Sequence, residues 1–425
     1  MTEPSGPAAV VDPYSSGAMF AESFARHGVP VVAVVTGPKP PEAFASSYRP
    51  EDFGEIIVCD GDVDPVIARL RELDVRCVLA GCESGVELAE RLAPRVTPHL
   101  ANVAGLAAAR RDKARMAAAV RSAGLPVIPQ VCTADPAEVE RWLAATGLAG
   151  ADLVIKPPKS ASTDGVIKVP GAEDWRAVFD RQLGRVNQFG EVDDRLLVQQ
   201  FVTGTEYVVD TFTRDGWHTL VDVCAYGKTV NGPHMAVYDT MRWVEPEDPA
   251  VAVLLPYVSA VLDAVGVRFG PAHVEVMLTA DGPLLIELGA RPHGGGQPRF
   301  NLNATGDSQI ERAVRAVQGL PTPGGYRLLK HQTCVFHIAP RSGTVRNVAA
   351  LSGIPQLASH HFSVQNLADG DHVPQTRDLV DSLNFGFAIL AHADAGQIER
   401  DKAAIRAGER RLIIEEGASS TSSRS

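Results

Sequence analysis

The chain has 425 residues and a formal net charge of -11 at pH 7, so binding to nucleic acid or to an anionic membrane surface is not expected, although a local basic pocket is compatible with this charge. Apolar residues make up 45% of the chain and charged residues 21%, values that are typical of a soluble globular protein. At about 150 residues per domain, this length predicts two to three domains with sizeable cores.

The six cysteines are spread along the chain, and none forms a C-x-x-C pair. Their spacing argues against a zinc or iron–sulfur site, and their scatter favours reduced thiols over a disulfide scaffold. The first apolar run has no basic stretch before it and ends at Asp12-Pro13, so a secretory signal is not expected. No segment approaches the ~18 uninterrupted apolar residues of a membrane span. The sequence therefore predicts a cytoplasmic protein without a membrane partner.

Strand and helix patterns alternate over residues 1–110. The predicted strands are the apolar runs Ala8–Val11, Val31–Val35, Glu55–Val58 and Val75–Leu79. Such alternation predicts a parallel sheet with helices on both faces, which binds ligands at the carboxyl ends of its strands. The loops Asp12–Gly17 and Ala80–Gly85 lie at those ends. A dinucleotide site would require Gly-x-Gly-x-x-Gly after the first strand, and the chain has Pro13-Tyr14-Ser15-Ser16-Gly17 instead.

Residues 111–325 are predicted to form a second domain with helices and an antiparallel sheet. Asp112–Ala123 has the pattern of a helix that Gly124 and Pro126 end. A helix is expected over Ala250–Val265, with a kink or a start at Pro256. The predicted strands are Leu153–Lys156, Leu196–Gln200, Tyr207–Phe212, Thr219–Ala225, His273–Leu278 and Leu284–Leu288.

The composition changes after Pro321–Gly325, and residues 326–417 mix strand and helix patterns in what is predicted to be a smaller α+β domain. Residues 418–425 form a serine-rich tail that is expected to be disordered.

Glu275 and Glu287 stand inside apolar strands that flank an Asp281-Gly282 hairpin signal. A buried carboxylate without a partner is costly, and two carboxylates on one face repel each other unless a cation lies between them. Oxygen ligands on rigid strands suit Mg²⁺, which keeps positions open for phosphate oxygens. The alternative is a pair of exposed carboxylates at a sheet edge. His273 is expected to be a packed or hydrogen-bonded histidine before a metal ligand.

Lys156 ends an apolar strand, where a lysine is costly unless it meets an anion. The following stretch, Ser160–Gly165, is rich in small hydroxyl residues and can fold backbone N–H groups around phosphates. It is not a P-loop, because it lacks Gly-Lys-Ser/Thr. Taken alone, an ordinary surface turn is the favoured interpretation of this stretch.

Gln199–Tyr207 is predicted to contain a strand, a bend at Gly204 and another strand, and a bend between two sheets is a plausible slot for a flat base. Taken alone, a plain interdomain turn is the favoured interpretation of this stretch. Lys113 lies in the charged run Arg110–Arg115, which in isolation indicates a solvated helix face.

Taken in order along nearly the whole chain, these clusters resemble the ATP-grasp superfamily, and within it the branch of L-amino acid ligases and other carboxylate–amine ligases. The most specific stretches are Gly270–Glu275 and Glu287–Gly295, followed by the strand lysine with its loop and the run Gly204–Asp210. The resemblance implies an ATP-grasp fold of α/β and α+β class, with an N-terminal Rossmann-like (pre-ATP-grasp) domain, a central ATP-grasp domain and a smaller C-terminal α+β domain.

The resemblance also implies roles for single residues. Arg291 and Lys156 are the expected catalytic residues, and Glu275 and Glu287 the expected ligands of Mg²⁺ or Mn²⁺. Many members have an asparagine two residues after the second acid, where this chain has Gly289. The expected ATP contacts are Lys113 and Lys156 at the phosphates, Ser160, Ser162, Thr163 and Gly165 in a mobile loop, Gln199 at the adenine amino group, Phe201 and Val202 in the interdomain link, and Glu206 at the ribose.

The activity implied by the resemblance is an ATP-dependent ligation in which a carboxylate is activated as an acyl phosphate and joined to an amine, with release of ADP and phosphate. The expected partners are a small-molecule carboxylate, such as an amino acid or related acid, and an amine; a homodimer is compatible with the resemblance. Three alternatives remain at this stage: an ATP-grasp carboxylase, an ATP-grasp kinase, or a non-catalytic nucleotide-binding regulator.

Overall fold

The computed structural model describes residues 6–160, 163–232 and 234–415, so the serine-rich tail and Ser162 lie outside the described residues. The chain divides into two compact units. One comprises the residues up to Val223 together with Glu245–Arg327, and the other comprises Cys224–Val244 together with the residues from Leu328 onward. The boundaries at residues 110 and 325 stay predictions of the sequence.

The first unit begins with a parallel sheet flanked by helices, as the alternating pattern predicts. Its strands run in the order β3-β2-β1-β4, and all pairs are parallel. β1, β2 and β4 are buried along their whole length, because apolar side chains on both sides pack against helices. The elements are β1 Ala8–Val11, α1 Met19–Arg26, β2 Val31–Val35, β3 Glu55–Val58, α2 Asp64–Glu72, β4 Cys77–Ala80 and α3 Val86–Val96.

A second sheet of the same unit is antiparallel, in the order β5-β8-β6-β7. The helix that precedes it starts at Lys113, because the Asp112 side chain caps it by accepting from the backbone N–H groups of Ala114 and Arg115. The elements are α4 Lys113–Ser122, β5 Gln130–Thr133, α5 Pro136–Thr146, β6 Leu153–Lys156, β7 Ile167–Val169, α6 Trp175–Gln182 and β8 Leu196–Gln200.

The next segment carries long antiparallel strands. β13 pairs with β12, and β12 pairs with β9. The predicted hairpin is confirmed: Ala280 and Asp281 form the turn between Thr279 and Gly282. The elements are β9 Thr205–Arg214, β10 Trp217–Asn231, β11 His234–Trp243, α7 Pro249–Ala264, β12 Gly270–Thr279, β13 Gly282–Gly289, α8 Gln297–Thr305 and α9 Gln309–Val317.

α7 corrects one of the two outcomes that were expected at Pro256. The helix begins at Pro249 and continues through Pro256, so a start at that proline is wrong. Pro256 lies on the exposed side of the helix, while Leu254, Tyr257 and Val258 on the other side are buried. Pro256 has no backbone N–H to donate to the carbonyl oxygen one turn earlier. Because this side of the helix is exposed, water can bind that oxygen instead.

The second unit contains β11, paired with β14, and continues through β18 to β16; a separate small sheet has the order β17-β15-β19. Its core includes Val335, Val345, Leu390 and Ile405. The elements are β14 His331–Phe336, β15 Gly343–Arg346, β16 His360–Gln365, β17 His372–Val373, α10 Leu379–Phe385, β18 Gly386–His392, α11 Ala395–Glu409 and β19 Ile413–Glu415.

Candidate active site

The hairpin of β12 and β13 places Glu275 directly opposite Glu287. Side chains opposite each other in an antiparallel pair lie on the same face, so both carboxylates share one face of the sheet. They are partly sheltered, with 18% and 22% of the side chains exposed. Carboxylates at this spacing repel each other unless positive charge lies beside them.

Two lysines supply that positive charge. Lys113 places its Nζ 3.1 Å from Glu287 Oε2 and donates a 2.6 Å hydrogen bond to the Ser160 carbonyl oxygen. Lys156 ends β6 and is only 5% exposed. Burial by itself raises the pKa of the Glu287 carboxyl, but the charges of Lys113 and Lys156 outweigh burial and lower that pKa to about 2.

The pKa of Lys156 is also lowered, but for a lysine this disfavours the charged form. Its burial and the charge of Lys113 lower the pKa of its ammonium group to about 8, although Glu287, Glu275 and Glu206 each act to raise it. Strongly perturbed lysines of this kind are typical of functional sites, because part of their solvation is left for a ligand to replace.

An apolar slot adjoins the two lysines. Its residues come from α4, from the segment before β5, from the ends of β5, β6 and β8, and from β13. Its lining combines apolar side chains with several polar groups, as the lining of a small-molecule site does. The lining residues are Lys113, Met116, Ala117, Val127, Ile128, Gln130, Lys156, Gln199, Leu285 and Ile286.

Gln199 is buried at the end of β8 and opposite Gln130 of β5. Its Nε2 donates a 2.9 Å hydrogen bond to Gln130 Oε1. This bond engages the donor end of the amide and turns the acceptor end, Oε1, away from Gln130. The resemblance described above implies that Gln199 accepts from the adenine amino group, and Oε1 is the atom that can do so.

The link after β8 contains Phe201 and Val202, which are both half-buried. The Phe201 backbone N–H donates to the Asp152 carbonyl oxygen at 2.9 Å, and Lys168 Nζ lies 3.9 Å from the centre of the Phe201 ring. Glu206 follows as the second residue of β9 and is buried. The link is therefore held against the antiparallel sheet by both its backbone and its ring.

The predicted mobile loop makes a tight turn next to Lys156. Thr163 and Gly165 adopt positive φ angles of 62° and 72°. A Cβ atom on residue 165 would lie 2.9 Å from the Pro157 ring, so a glycine is required there. Ser160 is buried, and its hydroxyl donates to Asp164 Oδ2 at 2.9 Å.

Arg291 lies just beyond β13 and pairs with an acid that the sequence did not assign to it. Its Nε lies 2.9 Å from Glu83 Oε2, and Glu83 follows β4 at the carboxyl end of the parallel sheet. A Cβ atom at residue 289 would lie 3.1 Å from Glu83 Oε2 and 3.2 Å from the Arg291 guanidinium carbon. Gly289 therefore leaves room for this ion pair.

A buried cluster of Asp210, His273 and His293 lies beside the two acids. The sequence predicted no role for Asp210 or His293. Asp210 Oδ1 lies 3.0 Å from His273 Nδ1, and Oδ2 lies 2.8 Å from His293 Nδ1. The other ring nitrogen of His273 lies 3.2 Å from Glu275 Oε1. Asp210 is the register partner of His273, so a pairing of β9 with β12 was the missing signal.

Burial alone lowers the pKa of His273, but its hydrogen bonds to Asp210 and Glu275 outweigh burial and raise that pKa to about 9. His273 is therefore charged at neutral pH and donates from both nitrogens. Burial likewise lowers the pKa of His293, only partly offset by Asp210. Burial raises the pKa of Asp210, but the two histidines more than reverse this effect and leave the carboxylate ionised.

Two sets of side chains in the site have the chemistry of metal ligands. The ligand atoms of Asp210, His273 and His293 lie within 4.8 Å of one another, but both histidine Nδ1 atoms are already engaged by the carboxylate. Glu275 and Glu287 offer oxygen atoms on one face beside the loop and the lysines. Oxygen ligands fit Mg²⁺ or Mn²⁺ better than imidazoles do, so the glutamate pair fits such an ion.

Comparisons with known proteins agree with this geometry. A family model described as an ATP-grasp domain matches residues 149–297. Dapdiamide A synthase of Enterobacter agglomerans is 30% identical over 339 residues, which cover 77% of this chain and 78% of the relative. An L-arginine-specific L-amino acid ligase of Bacillus subtilis is 22% identical over 45% of this chain and 47% of its own.

Solved structures share the fold. The L-amino acid ligase from Bacillus licheniformis superposes with a TM-score of 0.72 at 18% identity, covering 98% of this chain and 100% of that one. A carboxyaminoimidazole ribonucleotide synthase from asperigillus clavatus, complexed with ATP, has a TM-score of 0.68 at 14% identity, covering 96% and 99%.

The chain belongs to the ATP-grasp family. It is an ATP-dependent ligase that forms carbon–nitrogen bonds, and the predicted family, fold class and enzyme class are confirmed. Within the described residues, every helix is too short or too polar to cross a bilayer.

Proposed function

We propose that the protein activates the carboxylate of a small acid, an amino acid or a related compound, as an acyl phosphate and joins it to an amine, with Mg²⁺ or Mn²⁺ as the metal. Dapdiamide A synthase and the L-amino acid ligases support this substrate class by their similarity. A cytoplasmic location and a homodimer remain predictions of the sequence.

The observation that carries the proposal is the meeting of two acids and two lysines at one end of an apolar slot. Glu275 and Glu287 are brought together by β12 and β13, Lys113 comes from α4, and Lys156 from β6. Four elements thus supply phosphate-binding charge and metal ligands beside the slot. This arrangement suits a nucleoside triphosphate that carries a divalent cation.

Phosphoryl transfer to a carboxylate depends mainly on positioning and on charge neutralisation. Lys156 is fixed by burial, and Lys113 by its place at the start of α4, so both ammonium groups are held for the phosphates before ATP binds. Arg291 is held by Glu83 through Nε and by the Pro292 carbonyl oxygen through Nη1, and it can present its other N–H groups to the reacting carboxylate. Such preorganised donors lower the barrier because they need not reorganise during the reaction.

Glu275 and Glu287 would hold the metal ion, and water or phosphate oxygens would fill the remaining positions, since residue 289 is a glycine. A bound divalent cation would neutralise charge on the phosphates. On the protein side, His273 donates to Oε1 of Glu275, so Oε2 is the oxygen of that carboxylate that would bind the metal. Asp210 holds His273 in place from behind, as the supporting shell of a metal carboxylate does.

The acyl phosphate hydrolyses readily, so water must be kept from it until the amine attacks. The turn at Thr163–Gly165 and the buried Ser160 lie next to both lysines and are placed to cover the phosphates. The neutral amine nitrogen then forms the new bond to the acyl carbon, and the bond from that carbon to the phosphate oxygen breaks, so that the phosphate leaves with its electron pair. The nitrogen loses one proton in this step, and the leaving phosphate is basic enough to take it. No protein nucleophile is needed in this sequence of steps.

A phosphate-release screen tests the function. The enzyme is supplied with ATP and Mg²⁺ and with pairs of amino acids or other carboxylates, with and without amines. Release is expected only with both partners, and mass spectrometry is expected to find the amide. Lys156→Ala and Glu287→Ala should abolish release, whereas Lys39→Ala, at an exposed lysine, should not. Release with bicarbonate alone, or phosphate appearing on the acceptor, would overturn the ligase assignment in favour of a carboxylase or kinase.

A further inference from the structure

Arg111 is a buried arginine whose hydrogen-bonding capacity is not met. It is 5% exposed, and its Nη1 has no hydrogen-bond partner among the described residues. Nη2 makes only a long 3.5 Å bond to the Lys159 carbonyl oxygen. A buried guanidinium with unmet donors is costly, and native proteins retain few such groups. The arginine does not belong to the nucleotide or metal contacts described above.

The negatively charged group beside Nη1 is the carboxylate of Glu83. Glu83 Oε1 lies 3.5 Å from Nη1 of Arg111, while its Oε2 lies 2.9 Å from Nε of Arg291. One carboxylate thus stands between two guanidinium groups and bonds well to only one of them. Two positive charges and one negative charge leave this buried trio with a net charge of +1, which favours an additional anion.

The surroundings of Arg111 connect it to the site. The Phe189 ring lies 5.2 Å from its guanidinium carbon, and the Phe44 ring lies 6.3 Å from that of Phe189. Asn187 Nδ2 donates to the same Lys159 carbonyl oxygen, one residue before Ser160 of the loop. Arg111 itself lies two residues before Lys113. The guanidinium therefore lies beside the loop, between the carboxyl end of the parallel sheet and the proposed phosphate site.

We propose that Arg111, through its Nη1, which makes no hydrogen bond among the described residues, binds a second, non-reacting carboxylate carried by one of the two substrates, while Glu83 keeps Arg291 in place for the reacting groups. This inference rests on the proposed ligase function. A carboxylate suits Arg111 because a planar guanidinium pairs well with one, as the 2.9 Å pair of Arg291 with Glu83 illustrates. The phosphates have Lys113, Lys156 and the metal pair. The second carboxylate comes either from the amine substrate or from the acid substrate.

Matched ligand pairs distinguish these two sources. In one arm, L-alanine and L-leucine are compared with their carboxamides; in the other, succinate is compared with succinamate. Binding to the full-length enzyme saturated with Mg²⁺ and ADP is measured by calorimetry, so the result does not require turnover. The wild type is expected to prefer the form with the extra carboxylate in one arm, by about tenfold or more, the usual size of a charged hydrogen bond. No preference in either arm overturns the inference.

Variants assign that preference to Arg111. Arg111→Gln is expected to remove it, Arg111→Lys to retain part of it, and Arg91→Gln, at an exposed arginine of α3, to keep it whole. The affinity for ATP should change less than twofold in all three, which also reports intact folding. A preference that survives Arg111→Gln, or a loss of ATP affinity equal to the loss of substrate affinity, overturns the assignment. The proposed function fails separately, if the wild type forms no amide in the screen.

Discussion

The parallel sheet at the start of the chain buries apolar side chains, whereas the β12–β13 hairpin shelters charged ones. β1, β2 and β4 bury apolar residues throughout, so their packing needs no ligand. The hairpin brings Glu275, Glu287 and the buried His273 together on one face, where each needs a charged neighbour. The residues of the first region stabilise the fold, whereas those of the second region present charge that a ligand can neutralise. Substitutions in the two regions should therefore damage different properties.

The largest effect is expected at the charged end of this comparison. Lys156→Met should lower kcat/KM by about a thousandfold, because one preorganised charge on the phosphates is lost while the side-chain volume is kept. The urea midpoint should not fall, since the variant no longer buries an ammonium group. Steady-state kinetics and urea unfolding measure the two properties. A variant that unfolds more easily and retains its activity would reverse the comparison.

The sheet should respond the other way. Leu79 of β4 is 3% exposed and packs in the core beneath the parallel sheet. Leu79→Ala should reduce the free energy of unfolding by about 2–5 kcal/mol, through lost burial and the cavity left behind. At a temperature where the variant is folded, its kcat and its KM for ATP should match the wild type. A changed KM with unchanged stability would show that this sheet takes part in nucleotide binding.

A smaller effect is expected behind the acids. Asp210→Asn should weaken Mg²⁺ binding by about 10- to 100-fold, because His273 would lose the partner that orients it toward Glu275. The Mg²⁺ concentration for half-maximal activity, and direct titration of Mn²⁺ by its magnetic resonance signal, measure this change. Asp281→Asn, at the exposed turn of the same hairpin, is the matched control. Equal metal affinities in the two variants would limit Asp210 to a structural role.

Local patterns predicted much of this architecture. The four parallel strands and the hairpin follow from short apolar runs and a turn signal, which depend on neighbouring residues only. The functional role of Lys156 was predicted from its neighbours too, because a charge at the end of an apolar strand needs an anion.

Other features depend on strand register and on contacts between distant residues. Asp210 meets His273 only because β9 pairs with β12 in one register, and Glu83 meets Arg291 across 208 residues of chain. Glu83 lies in the loop Ala80–Gly85, and nothing in the local pattern of that loop links it to Arg111 or Arg291, with which it forms ion pairs. Pro256 was misjudged for a related reason, because the exposed side of α7 that tolerates it is set by packing.

The last contrast concerns protons, and it depends on the lowered pKa of Lys156. In the free enzyme this pKa is about 8, so at pH 9 the ammonium group is mostly deprotonated. Binding of ATP places negative charge beside it and should raise that pKa, so nucleotide binding at pH 9 is expected to take up a fraction of one proton. At pH 7 the lysine is protonated in both states and contributes no uptake. Calorimetry in buffers of different ionisation enthalpy measures the difference between the two pH values. Lys156→Arg, which stays charged throughout, should abolish it, and an uptake that persists in this variant would assign the proton to another group.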